Sequence, residues 1–385
     1  MTKFEKRIAQ FITDHLICIV FFIITVLGIW IRIQLREQLS GDSLGALLPW
    51  YEEIQKYGLS RQVGNYNFPY QLAIYLLTKL PLEPLHAYKL LSCVFDFLLA
   101  AISAAVVLDI TQSKSRTLLV YCAVLLSPVV ILNSAAWAQC DSIYVFFALC
   151  GVYLLLKDRT LFAMLCFGFS LAFKLQAVFL FPGLLILYFM RKDFPIWHFL
   201  AIPLGMLIPS MPMLFVGRSF IELVRVYVWQ SNTYHFMSMN YPSFYSILSA
   251  NNYEIYASMA ILLTVSVLTL LLFAVVHYKI PMNTRNTVML LFLSAFTCVL
   301  FLPAMHERYG YPYEILGWVL AFLAPQTAPL CIDLQLISLR TYSAYLFGAS
   351  INYTWLAMGN VCLYGVYVSL FLRQTPSDFA IRKAN

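Results

Sequence analysis

The 385-residue chain is 61% hydrophobic, 16% aromatic and only 11% charged, whereas soluble domains average about a quarter charged residues, so a water-soluble globule is excluded. The net charge of +7, from 25 Lys and Arg against 18 Asp and Glu, reads as an orientation signal, because no basic stripe is interleaved with exposed aromatics as nucleic-acid binding requires. Apolar stretches of roughly 14 to 23 residues bracket the length that carries a helix across about 30 Å of hydrocarbon, and runs such as Val145 to Leu156 lack the alternation of a membrane β-barrel. The expected class is an all-α polytopic membrane protein forming a single domain over residues 1–385.

In chain order, the first basic residues, Lys3, Lys6 and Arg7, precede an apolar run from Leu16 to Ile31 with no small-residue cleavage site after it, which predicts a retained first span. Further spans are expected at 86–108, 117–133, 142–156, 160–173, 176–190, 196–216, 256–276, 287–303, 312–325, 328–347 and 355–372, about twelve helices in all. With both termini cytoplasmic, the clusters Lys114/Arg116, Lys157/Arg159, Arg191/Lys192, Lys279/Arg285 and Arg373/Arg382/Lys383 fall on the inner side, as the positive-inside rule asks. Two outer segments, 32–85 and 217–255, exceed simple connectors. In the first, Leu44, Leu47, Leu48, Trp50, Tyr51 and Ile54 recur at helical spacing beside Glu52, Glu53 and Lys56, predicting interfacial helices. In the second, Tyr227, Trp229, Tyr234, His235, Tyr241 and Tyr245 are aromatics suited to a headgroup boundary. Nine cysteines without a C-x-x-C pair argue against a disulfide framework or a metal site.

With this orientation the unusual polar residues sort to the outer ends of different spans, where ionisable groups suggest a lined cavity. Asp42, in Ser40-Gly41-Asp42-Ser43, is either a helix cap shared with Ser40 or a general base for an acceptor hydroxyl. In Trp137-Ala138-Gln139-Cys140-Asp141, Trp137 and Gln139 offer a stacking face and an amide that suit a sugar, while Asp141 is a cap for the next helix or part of the site. Lys174 either snorkels to the headgroups or binds a lipid phosphate. Arg218 and Arg225 lie in the second outer loop. His306-Glu307-Arg308-Tyr309 joins an imidazole, a carboxylate and a guanidinium in a turn that needs none of them, a set suited to phosphate oxygens. Asp96, within a span, needs a partner on a neighbouring helix.

Taken in order, Gly41-Asp42 with Leu48-Pro49-Trp50, then Trp137-Ala138-Gln139-Cys140-Asp141-Ser142, Phe173-Lys174-Leu175-Gln176 and Met305-His306-Glu307-Arg308-Tyr309 resemble the integral-membrane GT-C glycosyltransferases, and more narrowly the bacterial relatives of GPI mannosyltransferase II, over about residues 16–372. The resemblance implies a GT-C-like bundle in the plasma membrane that transfers a hexose, mannose as first guess, from a polyprenyl-phosphate donor to a cell-envelope glycan or lipid-linked acceptor at the outer face with inversion. It implies Asp42 as base, Lys174, His306 and Arg308 at the donor phosphate, and Trp137, Gln139, Asp141, Glu307 and Tyr309 around the sugar and acceptor. The chain departs from the family where a second acid would follow Gly41-Asp42, which leaves Glu52, Glu53 or Asp141 open as base and weakens a metal bridged by two carboxylates; no metal ligand is assigned and a divalent cation stays possible. It departs again at Ala138, where the family carries glycine, and at Cys140. Two rivals are a lipid-linked sugar flippase, which inverted repeats would favour, and a polysaccharide polymerase or ligase.

Overall fold

A computed structural model describes residues 1–248 and 251–373; Arg382 and Lys383 of the C-terminal basic cluster lie outside the described residues. The chain is helical almost throughout, and its strands are two residues each. Every apolar run expected to form a span is helical. Among the described residues six helices are long and apolar enough to cross a membrane: Lys3–Gln34, Pro84–Thr111, Ile196–Phe215, Tyr253–His277, Thr284–Phe301 and Tyr353–Leu372. A seventh forms if Lys114–Leu125 and Pro128–Ala136, bent by 44°, count as one.

The expectation of about twelve spans therefore meets six or seven full-length helices and several shorter ones, for local reasons. Pro128 cannot continue the Lys114–Leu125 helix because its ring removes a donor and crowds the preceding turn. Lys174, extended at φ −153°, ends the Thr160–Phe173 helix. The chain then re-enters as a 3₁₀ turn over Leu175–Leu180, followed by Phe181–Arg191. Asp141–Leu156, with 16 residues, reaches only about 24 Å at 1.5 Å per residue, short of a full hydrocarbon core.

Thr284–Phe301 is the central strut: every residue from Asn286 to Phe301 is buried, and Phe181–Arg191, Tyr311–Leu323 and Tyr353–Leu372 pack round it. Thr160–Phe173 crosses Ala201–Leu207 closely, where a Cβ on Gly168 would meet the Ile202 carbonyl oxygen at 2.2 Å; small residues let helices approach without lipid between them. Arg32 of the first helix donates from Nε to Asp96 Oδ2 at 2.9 Å and from Nη2 to the Leu125 carbonyl at 3.1 Å, and both charged residues are buried. Asp96 thus has the inter-helix partner its position demanded.

The segment 32–85 is ordered by a small core of its own. A π turn over Ser43–Leu47 leads into Leu48–Tyr57, and Phe68–Leu77 follows. Leu47, Tyr51 and Ile54 share one face, as the i, i+4, i+7 spacing dictates, and pack with Tyr70, Ile74 and Tyr88 against Ala138, Cys140 and Ile143. Each such side chain contributes about 1.5–3 kcal/mol when taken from water. This packing carries the Asp42 segment onto the Trp137–Asp141 turn.

Candidate functional site

Ser40, not Asp42, caps the turn that follows the first helix: Ser43 N donates to Ser40 Oγ at 3.1 Å, while Asp42 makes no capping bond. The Asp42 carboxylate is turned elsewhere. Its Oδ2 accepts from Trp137 Nε1 at 2.9 Å and from Gln139 Nε2 at 2.8 Å. Its Oδ1 accepts from the Tyr345 hydroxyl at 2.6 Å, and an Nη2 of Arg308 stands 3.8 Å from Oδ2. An ionised carboxylate offers about four lone pairs; the three donors leave one on Oδ1, and the side chain keeps 34% of its surface exposed.

The turn that supplies two of these donors is built by backbone strain. Leu132–Ala136 forms a π turn, after which Ala138 takes φ +63°, a left-handed conformation in which a Cβ costs about 1–2 kcal/mol. The reversal aims Trp137 and Gln139 together at Asp42, and Gln139 N closes it by donating to the Asn133 carbonyl at 2.9 Å. Glycine would take this backbone without penalty, whereas Ala138 holds it at a cost. Trp137 stacks on Tyr345 with centroids 4.3 Å apart and planes at 19°, and meets Tyr342 edge-on at 5.2 Å.

Asp141 does not cap the Asp141–Leu156 helix; Cys140 holds the cap position without a side-chain bond. The Asp141 carboxylate accepts from Asn133 Nδ2 at 2.9 Å and forms a buried ion pair with Lys174. Lys174 is 6% exposed and lies over the Tyr144 ring at 5.6 Å, so it does not snorkel. The helix break at Lys174 is what points its ammonium inward, onto the N-terminal turn that holds Asp141.

The segment 217–255 joins the site through a short parallel pairing of Ser238–Met239 with Met305–His306, entered through Ala304 at φ +60°. Arg308 lies 5.6 Å from the Trp137 ring and 5.8 Å from that of Tyr309. Burial works against its charge, but Asp141 first, then Tyr66, Tyr309 and Asp42, hold it protonated. A cavity of about 320 Å³ opens beside it, lined by the polar Lys174, Arg308, Tyr309, Tyr66 and Gln230 and by the apolar Val178, Phe179, Ile261 and Leu302.

Six expected site residues are thus gathered in one cluster, Asp42, Trp137, Gln139, Asp141, Lys174 and Arg308, and Tyr309 lines the cavity beside it. His306 and Glu307 are set back from it. His306 meets the Tyr234 ring edge-on at 4.9 Å; burial lowers its pKa from the usual histidine value, against the pull of Glu307. Glu307 is buried, and its Oε2 stands 3.7 Å from His306 Nδ1 without a hydrogen bond among the described residues. Arg218 binds Glu222, Gln62 and Gln71 and fastens segment 217–255 to segment 32–85, while Arg225 is exposed. Glu52 is exposed and Glu53 pairs with Arg61, so neither joins the cluster. Tyr345 and Tyr66, whose hydroxyl donates to Gln139 Oε1 at 3.3 Å, are the site residues that sequence reasoning missed. The only signal for them was the Tyr342/Tyr345 pair at i, i+3 on one helix face.

No protein-family model matches this chain, and no curated protein matches it. The chemistry of the site therefore rests on its own residues. The groups round Asp42 are an indole, an amide, a phenol and a guanidinium, all donors; they fix the orientation of the carboxylate, and Arg308 and the Asp141-paired Lys174 are among the residues that line the cavity.

Proposed function

We propose that this is a GT-C-type glycosyltransferase that moves a hexose, mannose first among them, from a polyprenyl-phosphate donor to a hydroxyl of a cell-envelope glycan or lipid-linked acceptor, in a multi-pass arrangement with the site on the outer face of the plasma membrane. The single observation that carries the reading is a part-exposed carboxylate, Asp42, fixed by three donors within salt-bridge distance of Arg308, beside a cavity whose lining includes both basic and apolar side chains. An isoprenoid phosphate needs both kinds of contact.

In the reaction, the acceptor oxygen attacks the anomeric carbon from the face opposite the phosphate. The new C–O bond forms as the bond from the anomeric carbon to the phosphate oxygen breaks, through an oxocarbenium-like state. The acceptor proton passes to the free lone pair of Asp42 Oδ1, and the leaving polyprenyl phosphate takes up the bonding pair. Arg308 and Lys174 stabilise that negative charge, and donors and cations fixed in advance commonly contribute more to catalysis than any other effect. Trp137, stacked on Tyr345, and Gln139 border the space where the sugar ring sits. Glu307, His306 and Tyr309 support the loop that carries Arg308.

The test is transfer from a panel of radiolabelled polyprenyl-phosphate hexoses, comparing wild type with Asp42→Asn. Label transferred by the wild type and lost in the variant, with donor binding retained, supports the reading and names the sugar. Activity surviving in Asp42→Asn moves the base elsewhere, and no transfer from any donor abandons the reading in favour of lipid-linked sugar transport.

A further inference from the structure

A second cavity, of about 540 Å³, shares no lining residue with the first and lies between the Lys3–Gln34 and Pro84–Thr111 helices. The two helices line it over matching lengths: Thr25 to Arg36 on one and His86 to Phe97 on the other. Twelve residues, eleven steps of 1.5 Å, give a groove about 16 Å long, the depth of one leaflet of a hydrocarbon core about 30 Å thick. Its walls are apolar and open outward; Ile29, Ile33, Leu90 and Val94 are each close to half exposed.

The charged lining is of one sign. Four of the twelve lining residues, Arg32, Arg36, His86 and Lys89, are basic and none is acidic. Arg32, deep in the groove, is neutralised by Asp96. Lys89 is 4% exposed and donates to the carbonyls of Leu35, Arg36 and Gln38 at 2.8, 3.0 and 2.6 Å, which closes the C-terminal end of the first helix. Among the described residues Arg36 engages only Nε, on Glu37, so its other guanidinium donors are open to a bidentate anion. His86 Nε2 is buried and makes no hydrogen bond among the described residues, although Glu37 Oε1 stands 3.3 Å away. Glu83 Oε2 stands 3.6 Å from His86 Nδ1; Glu37 and Glu83 are 65% and 75% exposed and do not line the groove, so a phosphate bound here has to displace both side chains into water.

We propose that this groove holds one anionic glycerophospholipid of the surrounding bilayer, with an acyl chain between the two helices and its phosphate on Arg36 and His86. The lipid does not take part in sugar transfer, and the inference is independent of that reading. It does touch the same segment: the carbonyls that Lys89 grips lie just ahead of Ser40 and Asp42, so a phosphate at Arg36 steadies the connection that leads into the first site.

The experiment is native mass spectrometry of the full chain released from nanodiscs of phosphatidylglycerol or phosphatidylcholine. One phosphatidylglycerol should stay on the protein, at about tenfold higher occupancy than phosphatidylcholine, and Arg36→Gln/His86→Gln should lose about that factor, as expected for charge-assisted bonds of roughly 1.5–3 kcal/mol. Leu90→Trp, which fills the groove from an exposed position, should expel the lipid with elution profile and melting temperature unchanged. Equal retention of the two lipids, phosphatidylglycerol retention untouched by both variants, or displacement by an equimolar polyprenyl phosphate overturns the proposal; the last result assigns the groove to an isoprenoid instead.

Discussion

Tyr345 and Asp42 stand 303 positions apart in the chain, yet the phenol donates to the carboxylate at 2.6 Å and the Asp42 amide donates back to the same hydroxyl at 3.1 Å. The tyrosine is thus fastened to both the main chain and the side chain of the residue proposed as base, and its ring backs the Trp137 indole. It is a positioning residue, with no contact of its own to the reacting atoms.

Tyr345→Phe keeps the stack and removes only the hydroxyl. A hydrogen bond to a charged group contributes about 1.5–3 kcal/mol, so turnover should drop roughly 10- to 100-fold while donor KM and melting temperature hold. A rise in KM with unchanged turnover would show that the hydroxyl binds substrate instead of orienting Asp42.

The buried pair of Asp141 and Lys174 separates stability from chemistry. Lys174→Met leaves an uncompensated carboxylate in the interior, which should cost about 3–5 kcal/mol of stability, and the joint Asp141→Asn/Lys174→Met change should return most of it. If Lys174 also meets the donor phosphate, the stable double variant still uses donor poorly. Full donor use by that double variant would confine Lys174 to a structural part. Thermal melting in detergent and initial rates against donor concentration decide the two questions separately.

His306 sets a pH dependence of stability. Burial lowers its pKa in the folded chain below the ordinary 6.5, so beneath that value the unfolded chain binds more protons. Stability should therefore be fully present above about pH 6.5 and decline as pH falls through the lowered folded value. His306→Gln should flatten this part of a melting-temperature profile. Parallel profiles for wild type and variant would mean that the nearby Glu307 carboxylate offsets the burial.

At Ala138 the backbone strain is directly testable. Ala138→Gly should be tolerated and raise stability by up to about 1 kcal/mol, since relief of the left-handed strain is partly offset by glycine's larger unfolded-state entropy. Ala138→Val should destabilise by about 1–2 kcal/mol or more and lower activity by turning Trp137 and Gln139 off Asp42. A stability ranking of valine at or above alanine would remove strain from the description of this turn.

Much of this protein was legible in the sequence because membrane-spanning helices are written in one dimension. A long apolar run has to satisfy its own backbone bonds, so the helical class and the positions of the apolar segments follow from composition and length. The polar residues carried local meaning too: Asp42, Trp137, Gln139, Asp141, Lys174 and Arg308 stood out because charges and amides at span ends need a reason, and they come together in the structure. What only the tertiary structure decided is who partners whom. Whether Asp42 or Ser40 caps the first turn, and whether Lys174 reaches the headgroups or Asp141, depends on backbone direction at a few breaks, Pro128, Ala138 and Lys174. Tyr345, an ordinary tyrosine in its own helix, acquires its place only when that helix packs against a turn some two hundred residues earlier, because hydrogen bonds and ring contacts are short-ranged and chain separation says nothing about which ends will meet.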